Sequence, residues 1–335
     1  MLLKAIQEQY ESTTNWEQIK LKIYRKVVLL PSGDQDDTYA NYIKPNWPGI
    51  EYREFKGGPN YGYGAQLNAA SPDSVYMTAS WMKENISGKG PLGALYRVWG
   101  DGKQMVKGDI MDYFGLVGHT NDELKKMGYV VWMPVQEKGS WLGEGDDPTF
   151  MNMLGNGLRA YEKDTYGGWG GTGFIDPKAK NIFFQNSDTS SRAMAASLAA
   201  PKDRNNTYPD FFPAAQRDFA ARLKWSVTPI YTKANHEPVA KIEGPLNVRA
   251  AAGETIRLNG AVSDPDGNPV SVSWWQFQQG TYPGKASILN PEARQTQIGV
   301  PKDAVSGQTI HIIFQATDNG TPSLTSYQRV IITVR

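Results

Sequence analysis

The apolar positions of this chain follow two grammars, and the change falls near residue 235. In the first stretch, short apolar runs alternate with segments of helical spacing. Lys26-Val27-Val28-Leu29-Leu30 reads as a buried strand. Asp36 to Lys44 reads as a helix ending before Pro45, because proline disfavours helical backbone in the residue ahead of it. Ile50 to Phe55 reads as a second strand. Over residues 71–86, Val75, Ala79 and Met82 recur on one side of a helix. Thr120-Asn121-Asp122-Glu123 is a capping-box pattern, in which the Thr hydroxyl accepts an amide and Glu123 reaches back to the cap. Lys125 and Lys126 suit the negative end of that helix and Gly128 its stop. Residues 129–135, Tyr-Val-Val-Trp-Met-Pro-Val, then read as another strand. Strand–helix alternation of this kind predicts an α/β domain with a mostly parallel sheet over residues 1–235.

From residue 236 the runs become short and alternating: 239–244, 255–262, 270–277, 309–317 and 329–335. Turn clusters separate them, among them Asp264-Pro265-Asp266-Gly267, Tyr282-Pro283-Gly284 and Asp318-Asn319-Gly320. Strands at this spacing over ~100 residues predict an all-β, immunoglobulin-like sandwich over residues 236–335. The chain has no cysteine, so the sheet-to-sheet disulfide is missing and a fibronectin- or PKD-like variant is expected. Trp274 and Trp275 point to opposite faces of one strand, which places one in the core and leaves the other available for contact. Asp264-Pro265-Asp266-Gly267 carries the chemistry of a tight turn rather than of a calcium site.

Composition narrows the function classes. Over 335 residues, Lys+Arg 35 against Asp+Glu 34 leaves a net charge of +1, with no run of five like charges. That gives no electrostatic footprint for a nucleic-acid polymer. Without cysteine, thiol catalysis and Cys-ligated zinc are excluded. The three histidines, His119, His236 and His311, show no His-x-x-x-His spacing, against a His-rich zinc site. No stretch reaches the ~18 apolar residues of a membrane span, and the opening MLLKAIQEQYEST has too short an apolar run for a signal peptide. Aromatic residues make up 11%, including 10 Trp and 17 Tyr, which fits either stacking on sugars or bases or simply filled cores.

Two acidic turns carry the candidate chemistry. Asp34-Gln35-Asp36-Asp37 follows the first strand, and ligands of open α/β sheets bind where strands end. The alternative is that Asp36 and Asp37 cap and charge the first turn of the next helix. In Glu144-Gly145-Asp146-Asp147-Pro148-Thr149-Phe150, Pro148 suits the first helical position with Asp147 as N-cap, ahead of a helix burying Phe150 and Leu154. Glu144 and Asp146 are left without a structural duty; they are hard oxygen ligands suited to Ca²⁺, or else a solvated acidic loop. Gly167-Gly168-Trp169-Gly170-Gly171 either presents the Trp169 ring as a stacking platform or tucks it in as an anchor.

At these motifs, with Ser32-Gly33, Pro91-Leu92-Gly93-Ala94-Leu95-Tyr96, Asn156-Gly157-Leu158, Tyr166 and Asp218-Phe219-Ala220-Ala221-Arg222, the chain resembles the nucleoside-hydrolase-like proteins described as cellulose-binding. The similarity extends to the Ig-like domain at Ser263–Gly267, Trp274-Trp275-Gln276 and Thr317–Gly320. The resemblance implies calcium-assisted hydrolysis of an N-glycosyl or related glycosyl bond, calcium activating a bound water. Asp146 is the candidate calcium ligand and Asp34 and Asp36 the candidate catalytic pair on the sugar side. Gln35, Asp37, Glu144 and Trp169 are candidates for contacting substrate. The alternative implied function is binding of carbohydrate, cellulose in particular, without catalysis. The resemblance also implies a secreted or periplasmic location. Two departures stand out. The family opens with a strand and an aspartate-rich turn resembling the calcium motif of true nucleoside hydrolases, which this chain lacks, and Asp147 stands where Thr is common. The chain therefore resembles the C-terminal part of the hydrolase-like domain plus the Ig-like domain, an N-terminally truncated form. The expected consequence is weak or absent activity.

Overall fold

A computed structural model describes residues 2–30, 37–53, 71–131, 133–143, 148–171 and 209–335. The chain opens with helices Leu2–Tyr10 and Trp16–Tyr24. Strand β1 (Val28–Leu29) then pairs in parallel with β2 (Glu51–Tyr52). Trp47 is buried, with the rings of Trp16 and Tyr24 edge-on to it at 5.3 and 6.5 Å. The first predicted strand is shorter than its apolar run, and Val28 is exposed rather than buried. The helix ahead of Pro45 also differs from expectation. The chain is π-helical over Tyr39–Ile43 and α-helical over Lys44–Asn46, with Pro45 inside the first turn. Pro45 therefore continues a helical run that already began at Tyr39, and the run ends two residues later at Trp47.

Residues 71–87 form three short helical pieces: a 3₁₀ turn Ser71–Met77, an α turn Ala79–Trp81 capped by Thr78, and a π turn Met82–Ser87. Met82 and Ile86 are buried while Val75 is exposed. The capping box forms as predicted, opening the helix Asn121–Lys126. The run 129–135 is not a strand among its described residues. Instead the Tyr113 hydroxyl accepts from the Met133 amide (2.7 Å) and donates to the Met133 carbonyl (2.5 Å). A tyrosine side chain thus satisfies backbone groups that a neighbouring strand would otherwise take. Met133 joins a small core with Trp99, Tyr113, Phe114 and Leu124. Among the described residues the predicted parallel sheet is the β1–β2 pair alone. The helix Pro148–Met151 forms as expected, but Phe150 lies exposed on it.

The C-terminal region is two four-stranded sheets. One runs β4 (Asn247–Ala250), β10 (Thr325–Val334), β9 (Thr309–Asp318), β6 (Val270–Phe277); the other runs β3 (Val239–Ile242), β5 (Thr255–Ser263), β8 (Gln295–Gly299), β7 (Ser287–Leu289). All pairs are antiparallel except β4–β10. The sheets share one core, in which Ile242, Leu258 and Ile298 from the second meet Trp274, Phe314, Val330 and Ile332 from the first.

The other face of the first sheet is covered by the N-terminal half. A second core combines Met82, Ile86, Trp141, Leu158, Trp169 and the helix Phe212–Val227 with Phe277, Ile313 and Tyr327. Trp275 packs against this shared core, and its Nε1 donates to Gln315 Oε1 at 3.0 Å. The tryptophan expected to be available for contact is therefore spent on joining the two halves. Among the described residues, no helix is long and apolar enough to cross a membrane.

Candidate functional site

Asp34, Gln35, Asp36, Glu144 and Asp146 lie outside the described residues, as does Asp147. Asp37 and Trp169 are described, and they lie in different settings. Asp37 is exposed and takes a left-handed backbone, φ 55°, a conformation that Asp tolerates better than most residues. Its carbonyl accepts the Asn41 amide at 2.8 Å. Its backbone thus leads into the helical segment Tyr39–Ile43, whose N-cap is Thr38 and whose first turn holds no acidic residue, so Asp37 itself is not the cap; its side chain is exposed.

Trp169 offers no face to a ligand. It is 2% exposed, its ring stands edge-on to Tyr327 at 6.3 Å, and its Nε1 donates to the Tyr327 hydroxyl at 3.4 Å. Burial pushes the Tyr327 phenol up to about 12, so it stays protonated. The stacking platform is corrected to the anchored alternative, and the physical reason is the β sheet behind it. The glycine loop folds back on itself, Gly168 and Gly171 exchanging amide–carbonyl bonds at 3.1 Å. Asn152, buried beneath it, donates to the Gly171 carbonyl (3.0 Å) and accepts from the Gly170 amide (2.8 Å). The fully buried Arg329 of β10 donates to the carbonyls of Tyr166 (2.7 Å) and Gly167 (2.9 Å). Its guanidinium lies over the rings of Tyr166 and Phe277.

The same strand docks the chain just before this loop. The amides of Tyr327 and Arg329 donate to the carbonyls of Asn156 (2.8 Å) and Gly157 (3.2 Å). A side chain at Gly157 would collide with the Tyr327 carbonyl, and its φ of 90° suits glycine alone. The motifs Asn156-Gly157-Leu158 and Tyr166–Gly171 thus form one clamp on β10, immediately after the acidic turn 144–147.

A separate cleft opens where the helix Phe212–Val227 gives way to β3. Its volume is about 480 Å³, and Tyr231, Lys233, Asp266 and Asn319 are among its lining residues. It includes neither Asp37 nor Trp169. His236 is stacked between Tyr231 (3.6 Å, 4° between planes) and Trp225 (5.4 Å, 10°). Asp266 holds His236 through its amide (2.6 Å) and Nδ1 (3.1 Å), and Asp264 Oδ1 accepts the amides of Asp266 and Asn268, each at 2.9 Å. The tight turn predicted at Asp264–Gly267 is present, and it also steadies the ring stack. Sequence reading identified the turns here but not the cleft, because a linker tyrosine five positions from a histidine carries no periodic signal. Among the described residues no group of three or more His, Asp or Glu side chains is gathered as a metal site.

Helical segments of the N-terminal half are thus laid against a two-sheet β region through one shared core. The family model "Cellulose-binding Sde182, nucleoside hydrolase-like domain" matches residues 1–172, more than half of the chain, and this chain belongs to that family. A second, "Cellulose-binding protein Sde0182, C-terminal domain", matches residues 255–334. The solved structure of a nucleoside hydrolase-related hypothetical protein from Saccharophagus degradans, associated with carbohydrate metabolism, is similar over 90% of this chain and 67% of its own. It has 23% identity and a TM-score of 0.55, which shows a common fold. A chimeric titin Z1Z2 structure covers 29% of this chain at 19% identity and a TM-score of 0.19. No curated protein matches this chain.

Proposed function

We propose that this chain is a secreted or periplasmic carbohydrate-binding protein whose ligand is cellulose or a related glucan, with an immunoglobulin-like sandwich as its C-terminal domain. The observation that carries the reading is the pair of cellulose-binding family matches, at residues 1–172 and 255–334. Two four-stranded sheets around one core support the immunoglobulin-like assignment. The reading is tested by retention of the purified chain on microcrystalline cellulose at increasing loading. Saturable retention, competed by soluble cello-oligosaccharide, is expected. Retention no greater than that of an unrelated protein of equal size overturns it.

A second reading is a calcium-assisted glycosidase of the nucleoside-hydrolase type, with Asp34 and Asp36 at the sugar and Asp146 on the ion. It is favoured by one observation: the nucleoside-hydrolase-like match spans both acidic turns. Release of base from nucleosides, dependent on calcium and lost in Asp146→Asn, is the expected result under that reading. Equal background rates in both proteins with and without calcium remove it.

A further inference from the structure

The cleft at the junction has a feature that neither the clamp on β10 nor the acidic turns explain. Three rings are stacked in sequence, Trp225, His236 and Tyr231, and Arg222 lies over Trp225 at 5.5 Å. The stack is fixed along its length. Trp225 Nε1 donates to the Asn235 carbonyl at 2.7 Å, Asp266 holds His236, and Arg222 pairs with Asp218 at 2.7 Å. Tyr231 is its last member. One face of Tyr231 lies on His236, yet the residue is 56% exposed, so the opposite face is open, and it lines the cleft. A ring held rigid from behind loses little freedom when a ligand stacks on it.

The surrounding groups define the ligand. Aromatic faces stack on the apolar C–H face of a sugar, while hydroxyls need amides, carbonyls and charged groups within reach. Asn319, Lys233 and Thr321 line the same cleft. Partial desolvation, with Asp266, Glu237 and Asp264, holds the Tyr231 phenol above its ordinary value. That carboxylate field repels an anionic ligand such as a uronate or a phosphate. Lys233 in the lining disfavours a cation in the same way. A neutral ligand rich in hydroxyls satisfies both.

We propose that this cleft is a saccharide subsite, in which the open face of Tyr231 carries one neutral pyranose ring of a glucan chain and Asn319 and Lys233 bind its hydroxyls. The proposal rests on the carbohydrate-binding reading above and locates it at the junction of the two halves, away from the acidic turns.

The test uses the full chain, titrated calorimetrically with cellohexaose and with polygalacturonate, beside a cellulose retention assay. Wild type is expected to bind cellohexaose and not polygalacturonate. Tyr231→Ala should weaken cellohexaose binding by about tenfold or more. Tyr231→Phe, which keeps the ring, should stay within about twofold of wild type. Asn319→Ala should lose about threefold. An unchanged near-UV circular dichroism spectrum shows that each variant is folded; should Tyr231→Ala fail it, the Asn319 and Tyr231→Phe results decide. Retention on cellulose with full affinity in Tyr231→Ala and Asn319→Ala overturns the subsite and leaves the carbohydrate-binding reading standing. Preference for polygalacturonate overturns the ligand class. No retention of wild type on cellulose and no binding of cellohexaose overturn both.

Discussion

Acid sensitivity should be concentrated in one buried imidazole. His311 sits on β9, 2% exposed, with the Tyr166 ring edge-on at 5.1 Å. Its Nδ1 has no hydrogen-bond partner among the described residues. Burial, and then the cations Arg329, Arg159 and Lys163, hold its pKa at about 3 against an ordinary 6.5. Between those values the unfolded chain takes up a proton that the folded chain refuses. The contribution is therefore fully present above pH 6.5 and is lost progressively as pH falls toward 3. At pH 4.5, two units below the unfolded value, at about 1.4 kcal/mol per unit, the loss is about 2–3 kcal/mol. Urea unfolding of wild type and His311→Gln from pH 8 to pH 4 isolates this, because titrating carboxylates act equally on both and cancel in the difference. The variant is expected to be the less stable above pH 6.5 by a constant amount, and to regain about 2–3 kcal/mol on wild type by pH 4.5. A difference that does not change with pH would refute the reasoning and place a protonated imidazole in the folded core.

Three further outcomes follow from the clamp on β10. Trp169→Ala should destabilise by about 3–5 kcal/mol, read by urea unfolding, because it empties a buried site and strips a partner from Tyr327; a loss under about 1 kcal/mol would mean the loop is not anchored by its ring. Arg329→Lys keeps the charge but cannot fork to the carbonyls of Tyr166 and Gly167. It should lower stability by about 1–3 kcal/mol and speed amide exchange at Gly168 and Gly171; unchanged exchange at both would sink the idea. Gly157→Ala meets the Tyr327 carbonyl and a φ of 90°, and should cost about 2 kcal/mol or more; a melting temperature equal to wild type counts against the docked geometry.

The sequence determined most of the β region. Runs 239–244, 255–262, 270–277, 309–317 and 329–335 all contain strands at the predicted places. Period-two alternation and turn clusters are local signals, and each survives in one strand without knowledge of its neighbours. Strands β4, β7 and β8 escaped because three to five residues are too few for a clear alternation; β8 buries only Thr296 and Ile298. The capping box at Thr120 was equally legible, since its two hydrogen bonds close within four residues. What only the tertiary structure decided is where the apolar surplus goes. Met133 is not in a strand, its amide and carbonyl being taken by the hydroxyl of Tyr113, twenty positions away. Trp169 is an anchor because Tyr327 and Arg329, more than 150 positions later, close over its loop. Trp275 is half-buried because side chains of the other half pack against its sheet. The Tyr231 platform faces open space because the turn at Asp266 fixes His236 behind it. Each is a contact between segments distant in sequence, and a side chain's partner at that distance is set by packing, which local periodicity does not encode.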